Sequence, residues 1–298
     1  MPISRISVCV CTFKREDLLS KLLNALETQE TEGLFSYSVV VADNDAERSA
    51  EGVVETFRKG SKLDLTYCVE PQKNIAMVRN TAIANADGDL IAFIDDDEVP
   101  EGRWLLNLYR TLERLDCAGV LGPVKPYFEG EPPRWITTGG FFDRVNHPTG
   151  YVLDWPEART GNVLFRKSIL EGDKVPFATE FGTAGEDVDF FRRMMGKGCK
   201  FVWCAEASAF ELVPASRSTG RYLLRRALLR GSNFHKHKAH RIRNILKSLL
   251  ALPMYAAALP VLAIMGKRFF MKYLIKICDH GARLLAHCGF HLVTQREL

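Results

Sequence analysis

The chain has 298 residues, of which 47% are hydrophobic and 26% charged, and its formal net charge is +4. A chain of this length and composition buries a large core, which excludes a disordered or fibrous protein. Its eight cysteines show neither a C-x-x-C pair nor zinc-ligand spacing, which predicts unpaired thiols in a reducing compartment. Because the N-terminus lacks a signal-peptide pattern, we expect the main domain to stay in the cytoplasm.

The first hundred residues alternate between strand and helix patterns. Short β-branched runs predict strands, and apolar residues at helical spacing predict helices. The predicted strands are residues 6–11, 38–42, 63–69 and 90–94, and the predicted helices are residues 15–28 and 75–86. This alternation predicts an α/β fold, with a Rossmann-like, mostly parallel sheet covered by helices on both faces.

Polar residues follow three of these strands at their carboxyl ends. The three clusters are Thr12-Phe13-Lys14-Arg15, Asp43-Asn44-Asp45 and Asp95-Asp96-Asp97-Glu98. Ligands of such sheets bind beyond the carboxyl ends of the strands, so we expect one crevice to gather all three clusters.

The acidic cluster follows a buried strand, where like charges repel unless a cation compensates them. A divalent ion with oxygen ligands, Mn²⁺ or Mg²⁺, commonly bridges one or two carboxylates to substrate phosphates. Asp95 and Asp97 point the same way on an extended chain, which makes them the predicted metal ligands. An acidic turn or a helix cap is the alternative interpretation, because Glu98-Val99-Pro100 can open a helix.

Three further polar residues belong to the same predicted crevice. Arg79 lies in the helix that leads to the acidic strand, and we expect it to face a diphosphate or to pair with Asp95 or Asp96. Asp43 is predicted to bind a base or a ribose, with an Asx turn as the alternative. Arg15 is expected to bind phosphate, or simply to begin a solvated helix.

A second acidic motif occurs at residues 185–191, where a glycine-flanked acidic pair opens a helical pattern. Carboxylates at a helix N-terminus are stabilised by the macrodipole, so helix capping is one interpretation. The functional interpretation is that Glu186 or Asp187 takes a proton from an attacking hydroxyl.

Five motifs, taken together, resemble the inverting glycosyltransferases of family 2. In chain order they are residues 7–15, 41–45, 76–80, 95–97 and 185–187. The chain is most similar to the succinoglycan-biosynthesis type β-glucosyltransferases of bacterial exopolysaccharide pathways, over residues 3–235. Residues 121–124, 133–135 and 159–162 are further features shared with that branch.

The resemblance implies a GT-A fold and the inverting transfer of a hexose, glucose being favoured, from a UDP-sugar to a lipid-linked or polysaccharide acceptor. It implies that Asp187 is the general base, that Glu186 beside it shapes the acceptor site, and that Mn²⁺ or Mg²⁺ is held on the diphosphate by Asp95 and Asp97. The nucleotide-sugar-binding residues are then Thr12, Phe13, Arg15, Asp43, Asp45, Asn74, Arg79, Asp95, Asp96, Thr160, Gly161 and Asn162. Many relatives carry a His near residues 209–214, where this chain has Phe210 and Glu211.

Arginines spaced four apart after residue 216 predict a basic stripe along one helix. The stripe comprises Arg221, Arg225, Arg226 and Arg230. We expect it to contact a membrane surface or the phosphates of a polyprenyl-diphosphate-linked glycan, with a solvated surface helix as the alternative. The basic run at residues 235–238 has no base-reading motif around it, so no nucleic-acid partner is predicted.

Residues 248–266 carry no charge, and their number is close to what a helix needs to cross a bilayer. Pro253 and Pro260 interrupt the stretch and would kink a helix. The interpretations are a kinked transmembrane helix, an interfacial or re-entrant hairpin, and a buried core helix. Basic residues on both flanks favour peripheral or monotopic attachment at the cytoplasmic face of the plasma membrane.

These patterns predict a catalytic domain at residues 1–215 and a membrane-associating helical region at residues 216–298. The catalytic domain is predicted to have a nucleotide-sugar half, residues 1–118, and an acceptor half, residues 119–215. A non-catalytic, membrane-associated carbohydrate-binding or adaptor protein on the same fold is the alternative function. A nucleotidyltransferase is a third candidate, but residues 12–15 are not the Gly-rich phosphate loop expected of it.

Overall fold

The computed structural model describes residues 3–173, 175–182, 185–233, 241–290 and 292–293. Its strands are β1 (Ser4–Thr12), β2 (Phe35–Asp43), β3 (Leu65–Val69), β4 (Leu90–Ile94), β5 (Glu98–Pro100), β6 (Gly119–Leu121), β7 (Val124–Phe128), β8 (Asn162–Arg166), β9 (Phe201–Trp203) and β10 (Ala209–Val213). Its helices are α1 (Glu16–Glu27), α2 (Glu51–Gly60), α3 (Ile75–Ala84), α4 (Trp104–Leu115), α5 (Arg134–Thr137), α6 (Glu186–Gly196), α7 (Gly220–Asn233), α8 (Arg241–Met265) and α9 (Lys267–His287).

A seven-stranded sheet with the order β3-β2-β1-β4-β8-β6-β9 forms the centre of the catalytic part. Strands β1 to β4 run parallel to one another, and β6 runs parallel to β9. Only β8, which lies between β4 and β6, is antiparallel to both of its neighbours. The predicted mostly parallel sheet is therefore confirmed.

Alternate residues of the central strands enter two separate core layers. In β1, Ile6, Val8 and Val10 pack with residues of α1, α2 and α4. Cys9 faces the opposite layer, which contains residues of α3 and α6. Successive side chains of a strand point to opposite faces, and here both faces are covered, which explains the continuous apolar runs. The prediction of helices on both faces is confirmed.

The chain divides into two compact units by its internal contacts. One comprises residues 1–126 and 144–212, and the other comprises residues 127–143 and 213–298. The structure thus groups residues 127–143 with the C-terminal part, whereas the predicted boundary at residue 215 stays a prediction. Within the second unit, α9 packs against α7 and α8.

Helix α8 contains one stretch, Ile245–Met265, that is long and apolar enough to cross a membrane by length and composition. Almost none of this stretch is buried, and Ile264 is 89% exposed. This exposure contradicts the buried-core interpretation and leaves the membrane interpretations open. Pro253 and Pro260 lie inside α8, and the helix continues beyond both of them.

Helix α7 carries the predicted arginine stripe. Arg221 and Arg226 are exposed, and the Arg226 guanidinium lies 6.0 Å from the centre of the Phe142 ring. Arg230 forms an ion pair with Asp279 of α9 at 3.2 Å, so its charge is partly compensated within the second unit. The basic run at residues 235–238 lies outside the described residues.

Candidate active site

The carboxyl ends of the central strands bring the predicted polar clusters to one edge of the sheet. Thr12 at the end of β1 stands opposite Asp43 at the end of β2 in the parallel register. The Thr12 hydroxyl also donates a hydrogen bond of 2.8 Å to Asp96, which follows β4. The ends of three neighbouring strands therefore meet in one place, as the sheet order requires.

Arg15 neutralises part of the acidic cluster. Its Nη1 lies 2.8 Å from Asp96 Oδ1 and 3.2 Å from Asp97 Oδ2. Burial raises the pKa of Asp96 to about 6, against the opposing effects of Arg15 and of the Thr12 hydroxyl. Arg15 thus pairs with carboxylates of its own chain, and its predicted contact with phosphate stays a prediction.

Asp95 is the most accessible of the three aspartates. Its side chain is 45% exposed, whereas those of Asp96 and Asp97 are 6% and 14% exposed. Arg79 Nη2 lies 3.6 Å from Asp95 Oδ1, which confirms one of the two expected partners of Arg79. Asp95 is therefore the carboxylate of this cluster best placed to meet a ligand.

Arg79 connects the acidic cluster to the start of α6. The residue is buried, and its guanidinium forms an ion pair with Glu186 in addition to its contact with Asp95. Asn74 caps α3, because its side chain accepts hydrogen bonds from the Ala76 and Met77 amides at 2.9 and 3.1 Å. This cap fixes the start of the helix that carries Arg79, and the predicted donor contact of Asn74 stays a prediction.

The neighbouring carboxylates Glu186 and Asp187 face different surroundings. Gly185, at φ +96°, begins α6, and Glu186 turns inward, where burial raises its pKa and Arg79 opposes that rise. Asp187 remains 18% exposed, with Oδ2 4.0 Å from Arg159 Nε and Oδ1 accepting a 2.7 Å hydrogen bond from the Val188 amide. Asp187 is therefore the more accessible carboxylate of the pair, and its role as general base stays a prediction.

Glu98 is a buried carboxylate whose role the sequence did not predict. Neither of its oxygens accepts a hydrogen bond from the described residues. Burial, reinforced by Asp95, raises its pKa well above the usual range. It stands opposite Glu211 in the antiparallel pair of β5 and β10, and Arg144 lies beside both carboxylates. In the sequence, Glu98 is only the last residue of the acidic motif. The pairing of β5 with β10 is what places it opposite Glu211.

The residues around the acidic cluster fit a divalent ion in part. Within the described ranges, no three His, Cys, Asp or Glu side chains are gathered closely enough to form a complete metal site. An accessible Asp95 beside the unpartnered oxygens of Glu98 nevertheless provides hard oxygen ligands. Mg²⁺-type ions commonly take one or two carboxylates and complete their shell with phosphate oxygens and water, so the ligand set is adequate.

Asp43 forms the Asx turn that was the alternative to nucleotide binding. Its carboxylate accepts hydrogen bonds from the Asp45 amide at 3.0 Å, the Ala50 amide at 2.8 Å and the Tyr67 hydroxyl at 2.9 Å. Lys14 Nζ lies 3.7 Å from Asp45 Oδ2. Asp43 is fully buried and organises this loop, so the nucleotide contacts of Asp43 and Asp45 stay predictions.

Asn162 has a structural role in the interior. Its Oδ1 accepts a 2.8 Å hydrogen bond from the Trp104 indole, and its Nδ2 donates to the carbonyls of Pro123 and Ala207 at 3.1 and 2.8 Å. These bonds use both ends of the amide, and its predicted contact with the sugar stays a prediction. Thr160 is also buried, and Gly161 lies beside Asp95 and Glu98.

Phe13 lies among lysines beyond the end of β1. Lys73 Nζ is 4.3 Å and Lys14 Nζ 5.6 Å from the centre of its ring. Cation–π contact holds these ammonium groups near the edge where an anionic nucleotide is predicted to bind. Lys14 belongs to the predicted cluster at residues 12–15, whereas Lys73 was not singled out from the sequence.

The sheet, its acidic edge after β4 and the carboxylate pair at the start of α6 define a GT-A glycosyltransferase. The mannosyltransferase PcManGT of Pyrobaculum calidifontis, solved with GDP-Man and Mn²⁺, matches with a TM-score of 0.63 and 20% identity, over 94% of this chain and 87% of that one. TarS of S. aureus in complex with UDP matches with a TM-score of 0.56 and 16% identity, over 98% of this chain and 94% of that one. At these identities the likeness establishes the fold.

Sequence comparison narrows this class to one family. The model of the family Glycosyl transferase family 2 matches residues 7–172. The succinoglycan biosynthesis protein ExoM of Rhizobium meliloti (strain 1021) is 35% identical over 253 residues, which cover 83% of this chain and 80% of that protein. The chain belongs to glycosyltransferase family 2 and is a glycosyltransferase, as its motifs predicted. The adaptor and nucleotidyltransferase alternatives are not retained.

Proposed function

We propose that this enzyme transfers a hexose, glucose being favoured, with inversion from a UDP-sugar to a lipid-linked or polysaccharide acceptor in exopolysaccharide biosynthesis. The observation that carries the proposal is Arg79, which contacts both Asp95 and Glu186. Inverting transfer requires a base and a leaving group on opposite sides of the sugar ring. Arg79 fixes the acidic edge, proposed for the leaving diphosphate, relative to the helix end that carries the proposed base.

The donor is proposed to bind at the acidic edge, where Asp95 and Asp97 hold Mn²⁺ or Mg²⁺ on the diphosphate. The ion supplies positive charge to the departing nucleotide diphosphate. The exposure of Asp95 supports this assignment. Thr160 and Gly161 are proposed to border the sugar.

Asp187 is proposed as the general base that takes the proton of the acceptor hydroxyl. Its position at the N-terminus of α6 and its partial exposure support this role. Glu186 is held inward by Arg79, which supports a positioning role for it, and its predicted part in shaping the acceptor site is retained as a proposal. Arg159, beside Asp187 and exposed, is available to orient the base or the acceptor.

A membrane-bound acceptor is supported by the C-terminal unit. The exposed apolar stretch of α8 and the arginines Arg221, Arg225 and Arg226 of α7 are suited to the surface of an anionic membrane. We propose monotopic attachment at the cytoplasmic face of the plasma membrane, where UDP-sugars are available. The name of ExoM, as a succinoglycan biosynthesis protein, supports an exopolysaccharide product.

The test is UDP release by the full chain with Mn²⁺, a panel of UDP-sugars and membrane-extracted acceptor. Asp187→Asn should bind the UDP-sugar and lose about 100-fold or more in transfer, because a general base contributes about that much. Asp95→Asn with Asp97→Asn should abolish the Mn²⁺-dependent turnover. The exposed Asp89→Asn is the control and should remain active. If Asp187→Asn retains transfer, Asp187 is not the general base. If the wild-type enzyme turns over none of the UDP-sugars, the proposed donor class is wrong.

A further inference from the structure

The carboxylate of Glu98 is buried without a hydrogen-bond partner among the described residues. Its side chain is fully shielded from solvent, and both oxygens lack a donor. Arg144 lies beside it, but Nη1 is 3.8 Å from Oε1, which is too long for a hydrogen bond. The ionised form of a carboxylate with so little compensation is costly, and a bound cation beside it would stabilise that form.

The strand pairing doubles the negative charge at this position. Glu98 of β5 stands directly opposite Glu211 of β10, and like charges placed opposite each other destabilise a sheet. Arg144 forms a short ion pair with Glu211 while it approaches Glu98. The Arg144 guanidinium therefore lies near both carboxylates but forms a close ion pair only with Glu211.

The carboxylates of Glu98 and Asp95 both lie close against Gly161. A Cβ atom on Gly161 would lie 2.8 Å from Glu98 Oε1 and 3.0 Å from Asp95 Oδ2. Both oxygens are therefore close to one point beside the Gly161 Cα atom, where any side chain would collide with them. Mg²⁺-type ions commonly take one or two carboxylates, so two carboxylates held this close to the same residue can share one ion.

We propose that Glu98 joins Asp95 as a ligand of the divalent ion, that Gly161 allows both carboxylates to approach one another, and that Arg144 is the counter-ion of Glu98 and Glu211 while the ion is absent. This inference rests on the proposed function and extends it beyond Asp95 and Asp97. A shell completed by diphosphate oxygens and water matches the usual coordination of such ions.

The test is Mn²⁺ binding to the full chain with and without UDP. Binding is measured through the electron paramagnetic resonance signal of free Mn²⁺. Glu98→Gln keeps the shape of the side chain and should weaken Mn²⁺ binding about tenfold or more. Glu101→Gln makes the same change at an exposed position of the same segment and should bind Mn²⁺ as the wild type does. Wild-type Mn²⁺ affinity in Glu98→Gln overturns the ligand role and leaves Glu98 a buried neutral acid.

Two further variants keep the proposal testable if Glu98→Gln does not fold. Gly161→Ala should displace the Glu98 and Asp95 carboxylates and weaken Mn²⁺ binding with an unchanged circular dichroism spectrum. Arg144→Gln removes a competing cation and should tighten Mn²⁺ binding in the absence of UDP, whereas weaker binding overturns the counter-ion role. Wild-type Mn²⁺ affinity in Gly161→Ala also overturns the inference, even if sugar transfer persists and the proposed function stands. A wild-type protein that binds Mn²⁺ through Glu98 but turns over no UDP-sugar would contradict the proposed function alone.

Discussion

Arg79 and Glu186 are 107 residues apart in the sequence and form a buried ion pair between α3 and the first residue of α6. The pair joins the two halves of the proposed active site. Both side chains are buried, so water replaces neither partner easily.

Arg79→Met should lower the free energy of unfolding by about 3–5 kcal/mol, because it leaves the Glu186 carboxylate buried and unpaired. The double variant Arg79→Met with Glu186→Gln removes that uncompensated charge and should recover part of the loss. Urea unfolding followed by circular dichroism measures both. If Arg79→Met alone is as stable as the wild type, the ion pair does not stabilise the site.

Asn162→Ala should destabilise the fold by about 2–3 kcal/mol, since it leaves the Trp104 indole and two buried carbonyls without partners. In the fraction that remains folded, the KM for the UDP-sugar should stay close to the wild-type value. Thermal unfolding and steady-state kinetics separate the two effects. A large rise in KM with unchanged stability would instead support the predicted contact of Asn162 with the sugar.

The stability of α6 should depend on pH through Asp189. Burial tends to raise its pKa, but hydrogen bonds from Arg193 and Arg192 outweigh that effect, and the folded-state pKa is lowered. The stabilisation is therefore present above the unfolded-state pKa of about 3.9 and is lost as the pH falls through the folded-state value.

Asp189→Asn should accordingly cost about 1 kcal/mol at neutral pH, a modest value because Arg192 is more than half exposed. The difference in unfolding free energy between wild type and variant should narrow as the pH falls below about 4. Urea titrations at several pH values measure it. A difference that stays constant down to about pH 3 would contradict the assignment.

Membrane attachment should depend on the exposed face of α8. Leu250 and Met254 are 70% and 69% exposed and lie one turn apart, on the same face. Replacing both with Glu should abolish flotation with vesicles that contain anionic lipid, because each charge costs about 2.5–3.5 kcal/mol in an apolar layer. Leu34→Glu, at an exposed leucine of the first unit, is the matched control. Flotation that survives in the double variant would remove α8 from the proposed attachment.

The strand and helix pattern of the first hundred residues was predictable because it depends on local apolar periodicity. Strand β4 has the predicted bounds, residues 90–94, and α3 differs from the prediction only in ending at Ala84. β1 and β2 continue to Thr12 and Asp43, so these polar residues pair within the sheet. A parallel sheet gathers strand ends at one edge, and the acidic motif was therefore placed correctly from the sequence.

What the tertiary structure decided is the partner of each charge. The sequence by itself determined the family, the order of the motifs and the acidic edge, since these follow from residue type and spacing. It did not determine that Arg15 pairs with Asp96, 81 residues away, that Asn162 bonds to Trp104, or that Glu98 faces Glu211. The reason is physical: the partner of a buried polar group depends on which distant segments the fold brings together and on how far each is shielded from water, and a local pattern contains neither.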